Sequence, residues 1–82
     1  MRTSEQIGPR YREMFVAIGK AIRAVRKKRG LNQQSFSTKL GVSQAQISRL
    51  ESGMQGLRFV VLMRVARILG VKASDLLRVA GL

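Results

Sequence analysis

The feature that limits this chain most is a gap of three residues, Gly41-Val42-Ser43, between two short apolar-patterned segments. Before the gap, Phe36 and Leu40 stand four apart; after it, Ile47 and Leu50 stand three apart. Both are separations at which side chains share one face of a helix. Asn32 is a good N-cap for the first helix and Gly41 closes it, while Ser43 caps the second and Gly53 ends it. Helices of two to three turns joined by so short a link have no room to fold back antiparallel, so they cross at a steep angle.

The flanking sequence reads as helix too. Gly8-Pro9 breaks a polar start, and Pro suits the first position of a helix. From there Tyr11, Met14, Phe15, Ile18, Ile22 and Val25 form one amphipathic stripe, which ends at Lys27-Lys28-Arg29 and Gly30. Phe59, Leu62, Val65, Ala66 and Leu69 give a fourth helix that stops at Gly70. Ser74 and Asp75 then precede Leu76, Leu77 and Val79, a short fifth helix closed by Gly81. With no alternating strand pattern and no long linker, the expectation is an all-α fold of five helices. Residues 1–8 form a flexible N-terminal arm and 9–82 a single domain, since a chain of 82 residues buries only about 60–70% of its unfolded surface and supplies one core.

Charge narrows the partner. Lysine and arginine number 16 against four acids (Glu5, Glu13, Glu51 and Asp75), a formal charge of +12. The self-repulsion this costs is relieved by a polyanion: nucleic acid first, then an acidic protein or an anionic membrane surface. The sequence has no cysteine and no histidine, which removes disulfides, thiolate metal sites and most acid/base, nucleophile and metal-ligand arrangements. No enzymatic activity, cofactor or metal is expected. No apolar run approaches the ~20 residues that span a bilayer, and the N-terminus lacks a signal peptide's apolar stretch, so the expected location is cytoplasmic.

Two short helices crossing at a three-residue turn have helix-turn-helix geometry, placed at about 32–53. The exposed second helix then fits the major groove of double-stranded DNA while the first lies across the backbone. The segment LNQQSFSTKLGVSQAQISRLESG, Leu31 to Gly53, resembles the helix-turn-helix of the lambdoid phage repressor and Xre-like regulators. Leu31, Gln33, Phe36, Leu40, Gly41-Val42-Ser43, Ile47-Ser48, Leu50-Glu51 and Gly53 carry the resemblance, and LMRVARILGV, Leu62 to Val71, resembles that family's fourth helix. The likeness runs from about Ile18 to Leu77. The chain departs from the usual pattern at Leu57-Arg58, often Pro-Ser, and at Lys72, often a capping Ser. The fold implied is a five-helix lambda-repressor-like domain.

Carried over onto this sequence, the resemblance puts Gln44, Ala45 and Arg49 on the base-facing side of the recognition helix, with Gln46 and Ser48 beside them. The chemistry agrees. Gln pairs in a bidentate way with adenine, Arg with guanine, and a methyl group such as that of Ala45 touches a thymine methyl. Gln33 is the expected phosphate contact at the start of the second helix, with Ser43, Lys39, Arg23, Lys27 and Arg58 as further backbone contacts. Ile47 faces the core. Glu51, an acid beside a basic helix, is expected to pair with an arginine such as Arg26. Arg2, Arg10 and Arg12 of the arm region are candidates for the minor groove or backbone.

The C-terminal part carries more apolar surface than one small core covers. Together with the family's habit of pairing there, this implies a two-fold homodimer through Val60, Val61, Leu77 and Leu82. The function implied is a dimeric repressor that binds an inverted-repeat operator, bacterial or phage-encoded, nucleoid-associated and regulated by its own concentration. Two rivals are kept. An antitoxin-type protein would bind DNA and also neutralise a partner toxin, but would need a covering segment that an arm of about eight residues and almost no C-terminal tail supply poorly. A sequence-neutral nucleoid or RNA binder would not distinguish an operator from random duplex.

Overall fold

The computed structural model describes residues 9–82, and their side chains from Tyr11 onward. The proposed arm at 1–8, with Arg2, lies outside the described residues, as does the side chain of Arg10. Among the described residues the chain forms five α-helices: α1 Pro9–Lys28, α2 Gln33–Leu40, α3 Gln44–Ser52, α4 Phe59–Leu69 and α5 Ala73–Val79.

The short helices start and stop where the sequence places caps. Asn32 accepts a hydrogen bond from the Ser35 amide at 2.7 Å. Ser43 and Gln46 form a complete capping box: the Gln46 amide donates to Ser43 Oγ at 3.1 Å and the Ser43 amide donates to Gln46 Oε1 at 2.8 Å. These bonds satisfy donors that a helix start otherwise leaves open. Gly41 ends α2 at φ 78°, ψ 32°, a left-handed conformation that costs a residue with a Cβ about 1–2 kcal/mol. The turn into α3 therefore depends on glycine at this position.

The core gathers one face of every helix: Ile18 and Ile22 from α1, Phe36 and Leu40 from α2, Ile47 and Leu50 from α3, Leu62, Val65, Ala66 and Leu69 from α4, and Leu76 from α5. α1 meets α3 closely. A Cβ placed on Gly19 would stand 2.5 Å from the Glu51 carbonyl oxygen and 2.7 Å from that of Leu50, so the two backbones approach as only a glycine allows. That approach fixes where α3 sits relative to the rest of the domain.

The structure differs from the sequence reading in two places. Tyr11 and Met14, expected to join the inward stripe of α1, are exposed. All four residues from Tyr11 to Met14 are exposed, so this turn runs past the helices that cover the stripe further on. The fifth helix begins at Ala73, before Ser74 and Asp75. Asp75, in the first turn, accepts the Lys72 amide at 3.0 Å, and this reach-back bond supports an earlier start.

Candidate nucleic-acid interface

α3 divides sharply into two faces. Ile47, Leu50 and Glu51 are buried, whereas Gln44, Ala45, Gln46, Ser48, Arg49 and Ser52 are exposed. At 100° per residue, Ala45, Arg49 and Ser52 lie at the centre of the outward face, with Gln44 and Ser48 toward α2 and Gln46 on the opposite flank. All five expected base-reading residues are thus at the surface, on a helix whose own backbone is capped at both ends.

The inner face is fixed to α1 by a buried ion pair. Arg26 Nε donates to Glu51 Oε2 at 2.6 Å and its Nη2 to Glu51 Oε1 at 3.1 Å, while Nη1 donates to the Leu31 carbonyl at 2.8 Å. Both side chains are almost wholly buried. A bidentate pair satisfied at each end orients as well as attracts, and breaking one partner of such a pair costs about 3–5 kcal/mol. The expected pairing of Glu51 with Arg26 is therefore present, and it ties α3 to α1.

The pair extends outward along a polar chain. Gln33 Nε2 donates to Glu51 Oε1 at 3.2 Å, and Gln44 Nε2 donates to Gln33 Oε1 at 3.5 Å. The Gln33 side chain is thus drawn toward Glu51 and Gln44. Its backbone N–H, at the first position of α2, is one of the donors that a helix N-terminus leaves open to an anion. Gln46 is similarly committed: its Oε1 serves the capping box, which leaves its NH₂ as a donor on the flank of α3. Ser43, expected at phosphate, also uses its hydroxyl and amide in the cap.

Three helices meet at a shallow notch of about 260 Å³, lined by Arg23 of α1, Gln33 of α2, and Ser48, Glu51 and Ser52 of α3. Glu51 at this notch is neutralised by Arg26. The available donors are the Arg23 guanidinium and the Ser48 hydroxyl, a combination suited to a phosphate oxygen, whereas the Ser52 hydroxyl already donates to the Arg49 carbonyl at 3.0 Å. Lys39, Lys27 and Arg58 are exposed but do not line the notch. Arg58 stands at the N-cap of α4, and Lys39 lines a separate hollow with Asn32, Gln34, Ser35 and Thr38. Ser52 is the residue the sequence reading passed over. Its spacing from Ala45 and Ser48, seven and four residues, was the available signal.

The expected dimer residues fall into two groups. Val60 and Leu82 are well exposed, whereas Val61 and Leu77 are half-buried against the core. Val79 is a further exposed apolar side chain near the C-terminus. Among the described residues, no group of histidine, cysteine, aspartate and glutamate stands close enough to hold a metal. No described helix is long and apolar enough to cross a membrane.

Comparison with known proteins agrees with this geometry. No curated protein matches the sequence. Two crystal structures of the clp gene regulator ClgR from Corynebacterium glutamicum are similar at 28% identity, with TM-scores of 0.81 and 0.80; each covers 83% of this chain, and 87% and 72% of the matched chains. The restriction-modification controller protein C.AhdI from Aeromonas hydrophila has the same fold at 22% identity, with a TM-score of 0.72, over 76% of this chain and 94% of its own. The helix-turn-helix family model matches residues 22–76, so with its all-α fold the chain belongs to the Xre and lambda-repressor-like helix-turn-helix family of DNA-binding transcriptional regulators.

Proposed function

We propose that the protein is a sequence-specific, dimeric repressor that lays α3 in the major groove of each half of an inverted-repeat operator. The observation that carries this reading is the outward row of α3, Gln44, Ala45 and Arg49 at the surface of a helix whose other face is held by a buried ion pair. A reader of bases needs variable chemistry on a rigid support, because a loose helix loses the register on which bidentate contacts depend. Arg49 suits guanine O6 and N7, Gln44 suits adenine N6 and N7, and Ala45 offers a methyl contact to thymine.

The phosphate backbone is engaged beside this row. Arg23, Ser48 and the Gln33 amide take the phosphate next to the notch, and Lys27, Lys39 and Arg58 add weaker, sequence-independent attraction. Pairing through Val60 and Leu82, with Val61 and Leu77 behind them, supplies the two-fold axis. A subunit 32 Å in its longest dimension is of the size at which two adjacent copies carry their recognition helices to successive turns of the groove, about 34 Å apart. Bound across a promoter, such a dimer excludes polymerase. It would act on the nucleoid, in the cytoplasm of a bacterium that encodes it or whose phage does.

A binding selection on genomic fragments at near-physiological salt, with sedimentation of the free protein, tests this reading. Enrichment of an inverted repeat with half-site centres one helical turn apart, together with a dimer in solution, is the expected result. Enrichment of a single half-site, or of no sequence, removes the dimeric operator-binding claim.

A further inference from the structure

Arg64 is an exposed residue of α4, one turn after Val60, yet its guanidinium reaches another helix. Its Nη2 donates to the Leu40 carbonyl at 2.6 Å, and Leu40 is the last residue of α2. Gly41 and Val42 give their N–H groups to the carbonyls of Ser37 and Thr38, further back in α2. The Leu40 carbonyl, at the negative end of the α2 dipole, is one of those that a helix end leaves without a partner inside the helix. A cationic donor suits it, because a charge-assisted hydrogen bond is about twice as strong as a neutral one.

The contact falls on the turn itself. A Cβ on Gly41 would stand 3.8 Å from Arg64 Nη2, so the guanidinium lies against the residue whose left-handed conformation redirects the chain toward α3. Two other devices hold α3. The Arg26–Glu51 pair ties it to α1, and the capping box at Ser43 orders its own first turn. Neither holds the end of α2 from which the chain enters the turn. Phe36 and Leu40 seat α2 in the core with Leu62 and Val65, but apolar contact is non-directional and sets no angle by itself. A binding constellation works only when its groups are held to within about 0.5 Å.

We propose that Arg64 is a positioning residue for base reading. By holding the Leu40 carbonyl it sets the angle at which the turn from Gly41 to Ser43 presents α3, without touching DNA itself. The inference deepens the regulator reading proposed above and rests on it. On that reading α4 contributes to pairing through Val60 and to the aim of α3 through Arg64.

The test uses the full chain as wild type, as Arg64→Met, which keeps the reach of the side chain and removes its donors, and as Arg64→Lys, which restores a cationic donor. Binding to the sequence that the wild type selects and to random duplex is measured over a range of salt, with sedimentation and amide hydrogen exchange of each free protein. Because Arg64 is exposed, Arg64→Met should lower the unfolding midpoint by no more than about 5 °C and sediment as the wild type does. Its discrimination between the selected and the random duplex is expected to fall about tenfold, with the salt-dependence slope unchanged. The Val42 amide, which donates to Ser37 at the turn, should exchange faster. Arg64→Lys should recover most of the loss. Undiminished discrimination in Arg64→Met overturns the proposal and leaves Arg64 a helix cap alone. So does an equal loss on every duplex with the slope lowered by about one, the mark of a phosphate contact. A change in sedimentation also overturns it, by placing the effect in subunit pairing. A wild type that selects no sequence removes the regulator reading itself, and that outcome is seen before any variant is compared.

Discussion

The α2–α3 pair and the α4–α5 pair are joined by nearly the same backbone, Leu40-Gly41-Val42-Ser43 in one and Leu69-Gly70-Val71-Lys72 in the other. Gly41 and Gly70 have φ, ψ of 78°, 32° and 71°, 31°, and Ser43 and Lys72 have −77°, 159° and −81°, 149°. Val42 donates to the Ser37 carbonyl and Val71 to the Ala66 carbonyl, each at 3.0 Å. In both, the third residue of the following helix reaches back to the cap amide. What differs is the side chains. α3 turns Gln44, Ala45 and Arg49 outward and anchors itself through Glu51, whereas α5 carries Asp75 in its first turn, where an acid favours the helix dipole but would repel a phosphate. The domain makes one turn twice, and in the reading proposed above only the first copy is equipped to meet DNA, which would locate function in side chains placed on a shared scaffold.

The comparison can be broken most forcefully at the anchors. Glu51→Ala leaves the Arg26 guanidinium buried without its partner, and the expected loss is about 3–5 kcal/mol in chemical denaturation. Asp75→Ala removes a cap and a largely exposed ion pair and should cost no more than about 1 kcal/mol in the same assay. Equal losses would mean that the two pairs are held in the same way.

The turns provide the next contrast. Gly41→Ala and Gly70→Ala both force a Cβ into the left-handed region, and each should lower stability by about 1–2 kcal/mol. Only Gly41→Ala should also weaken DNA binding once stability is allowed for, since only that turn aims α3. A DNA-binding defect of similar size in Gly70→Ala would show that α5 takes part. The smallest effect is electrostatic: Lys27→Ala should weaken all duplexes alike and lower the salt-dependence slope of binding by about one.

Much of this was legible in the chain, for reasons that differ from element to element. The helix limits could be read because Asn32, Ser43, Gly41, Gly53 and Gly70 carry their own local instructions. The Arg26–Glu51 pair could be read because an acid in so basic a chain demands a partner. The exposure of Tyr11 and Met14 was hidden, since periodicity fixes the face of a helix but not how far its neighbours extend to cover it. The roles of Gln33 and Gln46 were hidden for another reason. A glutamine serves equally well toward DNA, a cap or a neighbouring carboxylate, and only the position of Glu51 and of the Ser43 amide decides. The Ser43-x-x-Gln46 spacing did carry the capping-box signal.

The most direct test compares one arginine from each copy of the turn. The binding selection is run with the wild type, Arg49→Ala of α3 and Arg78→Ala of α5, both exposed arginines. Arg49→Ala should relax one base position in each half-site, with a loss of discrimination of about 1–3 kcal/mol, and Arg78→Ala should keep the wild-type profile. If Arg49→Ala lowers affinity for every sequence equally, or if Arg78→Ala relaxes a position, the outer face of α3 is not what reads the bases.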